Sequence, residues 1–348
     1  MGENNPLVAL AKNEYFEIMK LLLESGKIKD INDVAEDGSS ALHHAVFHNR
    51  IDMVELLLQK GINTELRHSK CSTAFFVACT KGSLDIAKML HGYGAKIDAV
   101  NEQGKTSLAV AAVSDKTDLA LWLIENGSNI DAIDKSGISI LHYAVSGGNI
   151  LIVKELLKKN AVIPAGPGLR PLLSIVAMEG FFEIMKLLLE SGKIKDINDL
   201  DKDSLSALHH AVLSSQIDMV QLLLQHGAKV EDENMIKGSV LHAACRTDNV
   251  EIVEMLLTKN PDINALDPDG FSPLYIACKN SNREVAEKLL DRGVNVTAVI
   301  NGGRELILHE LCKNGLYEIA RKALASGLNI DQCNTVGRSA LLLACLEN

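Results

Sequence analysis

Apolar and polar positions recur along this chain in a pattern that predicts pairs of short helices. In the stretch from 35 to 66, the run A-L-H-H-A-V at 41–46 places small and aliphatic side chains on one face of a first helix. Asn49 and Arg50 then interrupt the pattern. The aliphatic positions between Ile51 and Leu58 predict a second, more hydrophobic helix. The stretch therefore predicts one helix-turn-helix unit.

The residues at the edges of this unit are suited to helix boundaries. Asp37 and Gly38 favour a tight turn, because glycine tolerates a positive φ. Ser40 can accept a hydrogen bond from an unpaired N–H at the start of the first helix. Gly61 can end the second helix, and the chain then returns as an extended loop. A single unit cannot bury its own apolar face, so neighbouring units must complete the core.

The same unit recurs along the whole chain. Eighteen residues, Phe16 to Asp33, are repeated without change at Phe182 to Asp199, an offset of 166 residues. Because this offset is close to five times 33, the repeat length is about 33 residues. The spacings between unit openings are 32 to 35 residues, which gives nine full units and a partial unit at each end. The units open at Asn5, Ser40, Thr73, Thr106, Ser139, Pro171, Ser206, Ser239, Ser272, Leu306 and Ser339.

These repeats resemble the ankyrin-repeat family, whose signature is T-P-L-H-x-A in a 33-residue frame. Matching segments begin at Ser40 (S-A-L-H-H-A), Ser139 (S-I-L-H-Y-A), Ser239 (S-V-L-H-A-A) and Ser272 (S-P-L-Y-I-A). The resemblance covers essentially all of the chain. It implies an all-α solenoid of helix-turn-helix units with finger loops, in about nine full and two partial repeats.

The repeat pattern is least regular at 165–171, where A-G-P-G-L-R-P replaces the usual finger. A segment rich in Pro and Gly does not favour a normal hairpin. We expect one continuous array with an irregular joint at this point, between repeats in 1–164 and repeats in 165–348. The alternative is neutral variation in an exposed loop. The last unit stops after its first helix, which predicts that the chain is a segment of a longer protein.

Charge and hydropathy exclude several classes of partner. The formal net charge is -10, whereas proteins that bind nucleic acid need a basic face. No apolar run approaches the roughly 18 residues that a membrane span requires. We therefore expect no nucleic-acid partner and no membrane span, and we expect this segment to be a monomer.

Five of the seven cysteines occupy one position of the repeat, six residues after the opening. This position normally holds a small buried residue, which cysteine can replace. Neighbouring helices pack about 8–10 Å apart, too far for a disulfide along the stack. Reduced thiols indicate a reducing compartment, so we expect a cytoplasmic protein. The five are Cys79, Cys245, Cys278, Cys312 and Cys345.

Five histidines also share one position, three residues after the opening: His43, His142, His209, His242 and His309. The resemblance implies that they bond to the opening hydroxyl and brace adjacent units. No nucleotide-binding or nucleophile motif is present, and His309-Glu310 begins like a zinc-protease helix that has Lys313 where the second His is needed. We expect neither catalysis nor a bound metal or cofactor.

The family resemblance implies a protein or peptide ligand on the concave face, built from finger tips and first helices. Apolar residues there suggest anchors for a partner, and the alternative is packing against the next finger. The other function considered is that of a targeting or structural region in a larger enzyme, channel, toxin or ubiquitin-ligase adaptor. The expected partner-binding residues are Glu36, Asp37, Phe47, His48, Lys70, Lys81, Gln103, Lys105, Met235, Ile236, Arg246, Asp269, Phe271 and Lys279.

The resemblance also implies candidate modification sites. Some ankyrin arrays are substrates of an asparaginyl hydroxylase that acts on the Asn of an Asp-Val-Asn loop. The matching residues are Asn32, Asn198 and Asn264, each preceded by Asp-Ile. The alternative is that Asn stands there because its side chain ties the loop by local hydrogen bonds.

Overall fold

The computed structural model describes residues 6–69, 72–163, 169–231, 238–297, 306–333, 335–340 and 342. The chain divides into two compact units, Met1–Leu169 and Arg170–Asn348. The helices of the first unit are α1 Pro6–Lys12, α2 Phe16–Glu24, α3 Ala41–Phe47, α4 Ile51–Gln59, α5 Ala74–Lys81, α6 Leu84–Gly92, α7 Ser107–Val113, α8 Thr117–Glu125, α9 Ile140–Ser146 and α10 Ile150–Lys158.

The second unit repeats the same succession of paired helices. Its helices are α11 Leu172–Glu179, α12 Phe182–Glu190, α13 Ala207–Leu213, α14 Ile217–Gln225, α15 Val240–Arg246, α16 Val250–Leu257, α17 Pro273–Lys279, α18 Arg283–Asp291, α19 Ile307–Lys313 and α20 Tyr317–Ala325. Odd-numbered helices are the first helices of each pair, and even-numbered helices are the second. The predicted all-α fold of helix-turn-helix units is confirmed.

Hydroxyl side chains start many of the first helices. The Thr73 Oγ1 accepts a hydrogen bond from the Phe76 N–H at 3.3 Å, and the Thr106 Oγ1 accepts one from the Ala109 N–H at 3.1 Å. Each satisfies one of the backbone donors that a helix leaves unpaired at its start. Gly61, with a φ of 81°, allows the chain to turn away after α4.

The finger loops are held by single backbone bridges rather than by a sheet. Antiparallel bridges join Val34 to Ser40 and Val100 to Thr106, with equivalent bridges in three other fingers. Among the described residues the structure contains no strand longer than such a bridge. Each finger therefore projects from the start of its first helix.

The core of each unit lies between neighbouring repeats. Within the first unit, α3 packs against α1, α4 and α5, and within the second unit α13 packs against α11, α14 and α15. The duplicated segment buries the same side chain in both units, since Met19 and Met185 are each fully buried. This layering sets the first helices side by side and leaves one of their faces to the fingers and solvent.

The irregular segment predicted near 165–171 lies mainly outside the described residues, because 164–168 are not among them. The following helix, α11, forms despite Pro171 at its start. Ser174 stands where other repeats carry the motif histidine, and its buried Oγ has no hydrogen-bond partner among the described residues. The joint and the predicted domain boundary remain predictions.

Candidate partner-binding surface

In several repeats a buried histidine connects the first helix to the finger of the following repeat. The Ser40 Oγ lies 2.9 Å from the His43 Nδ1, which also accepts the Ser40 N–H. The opposite ring nitrogen, His43 Nε2, lies 3.1 Å from the Ser72 carbonyl oxygen in the next finger. With its Nδ1 accepting, the ring must carry its proton on Nε2 and donate to Ser72.

The same network is present in the second unit. Ser206 and His209 form the pair at 2.9 Å, and His209 Nε2 lies 3.4 Å from the Gly238 carbonyl oxygen. Burial lowers the pKa of both His43 and His209 to about 4, because a charged ring would lose its hydration. Both rings are therefore neutral at physiological pH and serve to position the fingers.

The repeat that opens at Leu306 keeps only part of this arrangement. Leu306 replaces the opening hydroxyl before His309, whose Nδ1 has no partner in the described part of the chain. The His309 Nε2 still lies 3.0 Å from the Arg338 carbonyl oxygen. The brace to the next finger is thus kept, while the contact within the repeat is lost.

A second set of hydrogen bonds joins seven of the inter-repeat loops to the loop that follows. Asn32 Oδ1 accepts from the Asn63 N–H at 2.7 Å, and Asp98 Oδ1 accepts from the Asn129 N–H at 2.9 Å. The same position supplies an acceptor in five further loops, namely Glu65, Asp131, Asn198, Glu231 and Asn264. Asn, Asp and Glu all serve because the contact needs only a side-chain oxygen.

These contacts bear on the candidate modification sites. The side chains of Asn32, Asn198 and Asn264 each hold the backbone of the following loop at 2.7 to 2.8 Å. This geometry supplies a structural reason for the asparagines. Hydroxylation remains a prediction, which intact-mass spectrometry of the protein from its native cell would test by a gain of about 16 Da per site.

The first unit carries a groove of about 770 Å³ between its fingers and first helices. Phe47 lies in this groove with 53% of its surface exposed, and the Lys81 Nζ sits 3.7 Å from the centre of its ring. This is a cation–π contact on one face of the phenyl ring. Other groove residues include Lys12, Asp37, His44, His48, His68, Phe76, Glu102 and Gln103.

Charged groups in the first unit are partly paired. The His48 Nδ1 lies 3.4 Å from Glu14, and the backbone N–H of Ser39 lowers the pKa of Asp37. In a later repeat the Tyr143 Oη of α9 donates to Asp134 of the finger at 2.6 Å, and burial, together with this hydrogen bond, raises the pKa of the phenol. The Tyr143 contact therefore joins a finger to the first helix α9.

The second unit carries a smaller cleft of about 340 Å³. Arg246 lines it and forms an ion pair with Asp267 at 3.3 Å. Phe271 stacks on Tyr275 with ring centres 4.9 Å apart, and the Lys279 Nζ lies 5.0 Å from the Phe271 ring. The remaining residues of the cleft are Leu205, His209, Leu213, Ala243, Pro268 and Asp269.

A sequence profile described as ankyrin repeats (three copies) matches residues 2–68, 75–165, 141–234 and 230–300. Together these matches cover more than half of the chain. The chain belongs to the ankyrin-repeat family. Ankyrin repeats are generally protein-interaction modules.

Relatives of this ankyrin-repeat chain include much longer proteins. It is 37% identical over 95 residues to alpha-latrocrustotoxin-Lt1a of Latrodectus tredecimguttatus, covering 26% of this chain and 7% of the toxin. It is 36% identical over 83 residues to the human 2-5A-dependent ribonuclease, covering 24% of this chain and 11% of the ribonuclease. It is 42% identical over 59 residues to the palmitoyltransferase AKR1 of Yarrowia lipolytica, covering 17% of this chain and 8% of the transferase. The matches thus span a small part of each relative's length.

In this ankyrin-repeat chain, the predicted partner-binding residues fall into separate groups. Asp37, Phe47, His48, Lys81 and Gln103 line the groove of the first unit, and Lys105 lies beside Tyr143. Glu36 is exposed and is not among the groove residues. In the second unit, Arg246 and Asp269 share the cleft, and Phe271 and Lys279 are in contact. Lys70, Met235 and Ile236 lie outside the described residues.

The two described aromatic candidates differ. Phe47 is exposed, as expected of an anchor, whereas Phe271 is half-buried by its stacking on Tyr275. Phe271 thus contacts its own repeat, and a partner-binding role for either residue remains a prediction.

Sequence reasoning missed most of a regular row of exposed residues. The residue seven positions after the opening is exposed in all ten repeats described. The signal was available, because the row follows directly from the repeat frame. Its members are Lys12, Phe47, Thr80, Val113 and Ser146 in the first unit and Met178, Leu213, Arg246, Lys279 and Lys313 in the second.

The cysteines at the shared repeat position are buried in three cases. Cys79, Cys245 and Cys278 are fully buried, and burial raises the pKa of the Cys79 and Cys278 thiols to about 12. Cys312, predicted to be equally buried, is half-exposed. These four thiols are not in disulfides, and Cys345 lies outside the described residues.

The described residues contain neither a metal site nor a membrane span. No group of three or more His, Cys, Asp or Glu side chains there is placed to hold a metal ion. No helix of the described residues has the length and apolar character needed to cross a membrane.

Proposed function

We propose that this chain is a non-catalytic module that binds a protein or peptide partner on the face formed by its fingers and first helices. The observation that carries the proposal is Phe47, a large apolar side chain held open to solvent in the groove of the first unit. An exposed aromatic residue in a concave site is a typical anchor for a partner. Lys81 orients the ring and adds a charge beside it.

The described histidines support a binding role over a catalytic one. His43 and His209 are occupied by structural hydrogen bonds, and their lowered pKa makes them poor proton carriers at neutral pH. The groove places amide, cationic and acidic side chains around apolar ones, as in an interface with an apolar centre and a polar rim.

Affinity capture with matched variants tests the proposal. The wild-type chain, Phe47→Ser and Leu151→Ser are each used to capture partners from the native cell. Leu151 is the control, because it is 55% exposed but lies on the second helix α10 rather than in the groove. We expect at least one protein that is retained by wild type and Leu151→Ser and lost with Phe47→Ser. Equal capture by all three chains would contradict the proposal.

The second candidate is that this module is the targeting or structural region of a larger protein. The matched relatives favour it, since they include a toxin, a ribonuclease and a palmitoyltransferase of which the matches cover 7%, 11% and 8%. Sequencing the full-length transcript tests this candidate. An additional catalytic, channel or toxin region would support it, and a reading frame limited to these repeats would reject it.

A further inference from the structure

The duplication provides an internal comparison of two surfaces on the same scaffold. The second helices α2 and α12 are identical in sequence, and α3 and α13 share the run A-L-H-H-A-V. The exposed row at the ends of the first helices has instead changed at every compared position. It reads Lys, Phe, Thr, Val, Ser in the first unit and Met, Leu, Arg, Lys, Lys in the second.

The row of the second unit has two chemically distinct parts. Met178 and Leu213 are aliphatic side chains with 39% and 43% of their surfaces exposed. Arg246, Lys279 and Lys313 follow at the same position of the next three repeats, and all three are exposed. A run of three cations is unexpected in a chain whose formal net charge is -10.

The nearby carboxylates neutralise only part of this run, since of the three cations Asp267 pairs with Arg246 alone. Asp267 is buried and holds backbone N–H groups as well as Arg246, and Glu310 lies 3.4 Å from the Tyr275 hydroxyl, which donates to it. Only Asp269 is an exposed carboxylate lining the cleft. Lys279 and Lys313 form no ion pair with any described residue, whereas Lys288 and Lys322 on the second helices are paired with Glu254 and Glu287.

The spacing of the row sets the spacing of a ligand. Packed helices lie about 8–10 Å apart, and an extended chain in the polyproline II conformation advances about 3.1 Å per residue with three residues per turn. Every third residue of such a peptide lies on the same side and therefore meets a successive position of the row. Aliphatic residues would contact Met178 and Leu213, and acidic residues would contact the three cations.

We propose that this row of the second unit binds an extended acidic segment of a protein, with aliphatic residues at one end and carboxylates at every third position beyond them. The first unit, with Phe47 as its only aromatic residue in the row and one cation at Lys12, selects a different ligand. This inference rests on the proposed function and assigns a partner chemistry to one of its two surfaces.

The test is selection of a random 16-residue peptide display library on the full chain, followed by affinity measurements with variants. We expect one class of peptides with the stated spacing of aliphatic and acidic residues. Its affinity falls by about tenfold or more with Leu213→Ser and with Lys279→Glu. It is unchanged with Phe47→Ser and with the control Leu151→Ser.

Charge exchange identifies the contact directly. A selected peptide whose middle carboxylate is replaced by Lys should lose affinity for the wild-type chain and regain it with Lys279→Glu. Circular dichroism of each variant confirms that the fold is retained.

The outcomes separate the two claims. If peptide binding is lost only with Phe47→Ser, the inference is wrong and the proposed function stands. The same conclusion holds if the acidic peptides bind Leu213→Ser and Lys279→Glu as tightly as they bind the wild type. If no selected peptide is weakened by any variant of the row, both are wrong.

Discussion

At the scale of single residues, the buried histidines link the stability of the fold to pH. His43 and His209 have pKa values of about 4, below the ordinary value of 6.5. Between these values the unfolded chain binds protons that the folded chain does not. The free energy of unfolding therefore decreases as the pH falls from about 6.5 to about 4, and it is fully retained above that window.

We predict that the urea midpoint falls between pH 7 and pH 4.5, with a loss of several kcal/mol in the free energy of unfolding. The carboxylates with lowered pKa, such as Asp37 and Asp201, weaken the fold only at still lower pH, so they do not account for this window. The double variant His43→Gln, His209→Gln should have a lower free energy of unfolding at pH 7. This free energy should then decrease less between pH 7 and pH 4.5 than it does in the wild type. The variant of an exposed histidine, His226→Gln, is the control. If the free energy of unfolding changed equally with pH in all the chains, His43 and His209 would not be the cause.

At the scale of elements, the loops between repeats are joined by one side-chain oxygen each. Asn198 Oδ1 accepts from the Lys229 N–H at 2.8 Å. We predict that Asn198→Ala lowers the free energy of unfolding by about 1 kcal/mol, because the Lys229 N–H exchanges this intramolecular hydrogen bond for water. Asn198→Asp keeps the acceptor and should stay close to wild type. Thermal unfolding measures both, and equal loss in the two variants would reject the role of the oxygen.

The sequence predicted the elements well because the repeat is a local structure. The helix α3 and its Ser40 cap follow from residues that are neighbours in the chain. The contact of Lys81 with Phe47 and that of Tyr143 with Asp134 could not be predicted, because each depends on side-chain directions across a turn or between repeats. The positions of the exposed row could have been predicted from the repeat frame. The difference in side-chain chemistry between the two rows became apparent only when the two units were compared.

At the scale of the whole molecule, the two compact units provide a test of cooperativity. Repeat arrays are stabilised by neighbour contacts, and the Pro- and Gly-rich sequence at 165–171 interrupts the regular repeat. We predict that Met1–Leu169 and Arg170–Asn348 unfold with different urea midpoints. The single tryptophan, Trp122 in α8, reports on the first unit alone, while circular dichroism reports on both. Coincident transitions by the two signals would contradict the prediction.

The central claim is that partners bind the face made of fingers and first helices. Amide hydrogen exchange of the full chain, with and without a captured partner or selected peptide, tests it most directly. The account predicts slower exchange in fingers and first helices, such as α3 and α5 or α13 and α15, and unchanged exchange in the second helices. Protection confined to second helices such as α4 and α14 would contradict it.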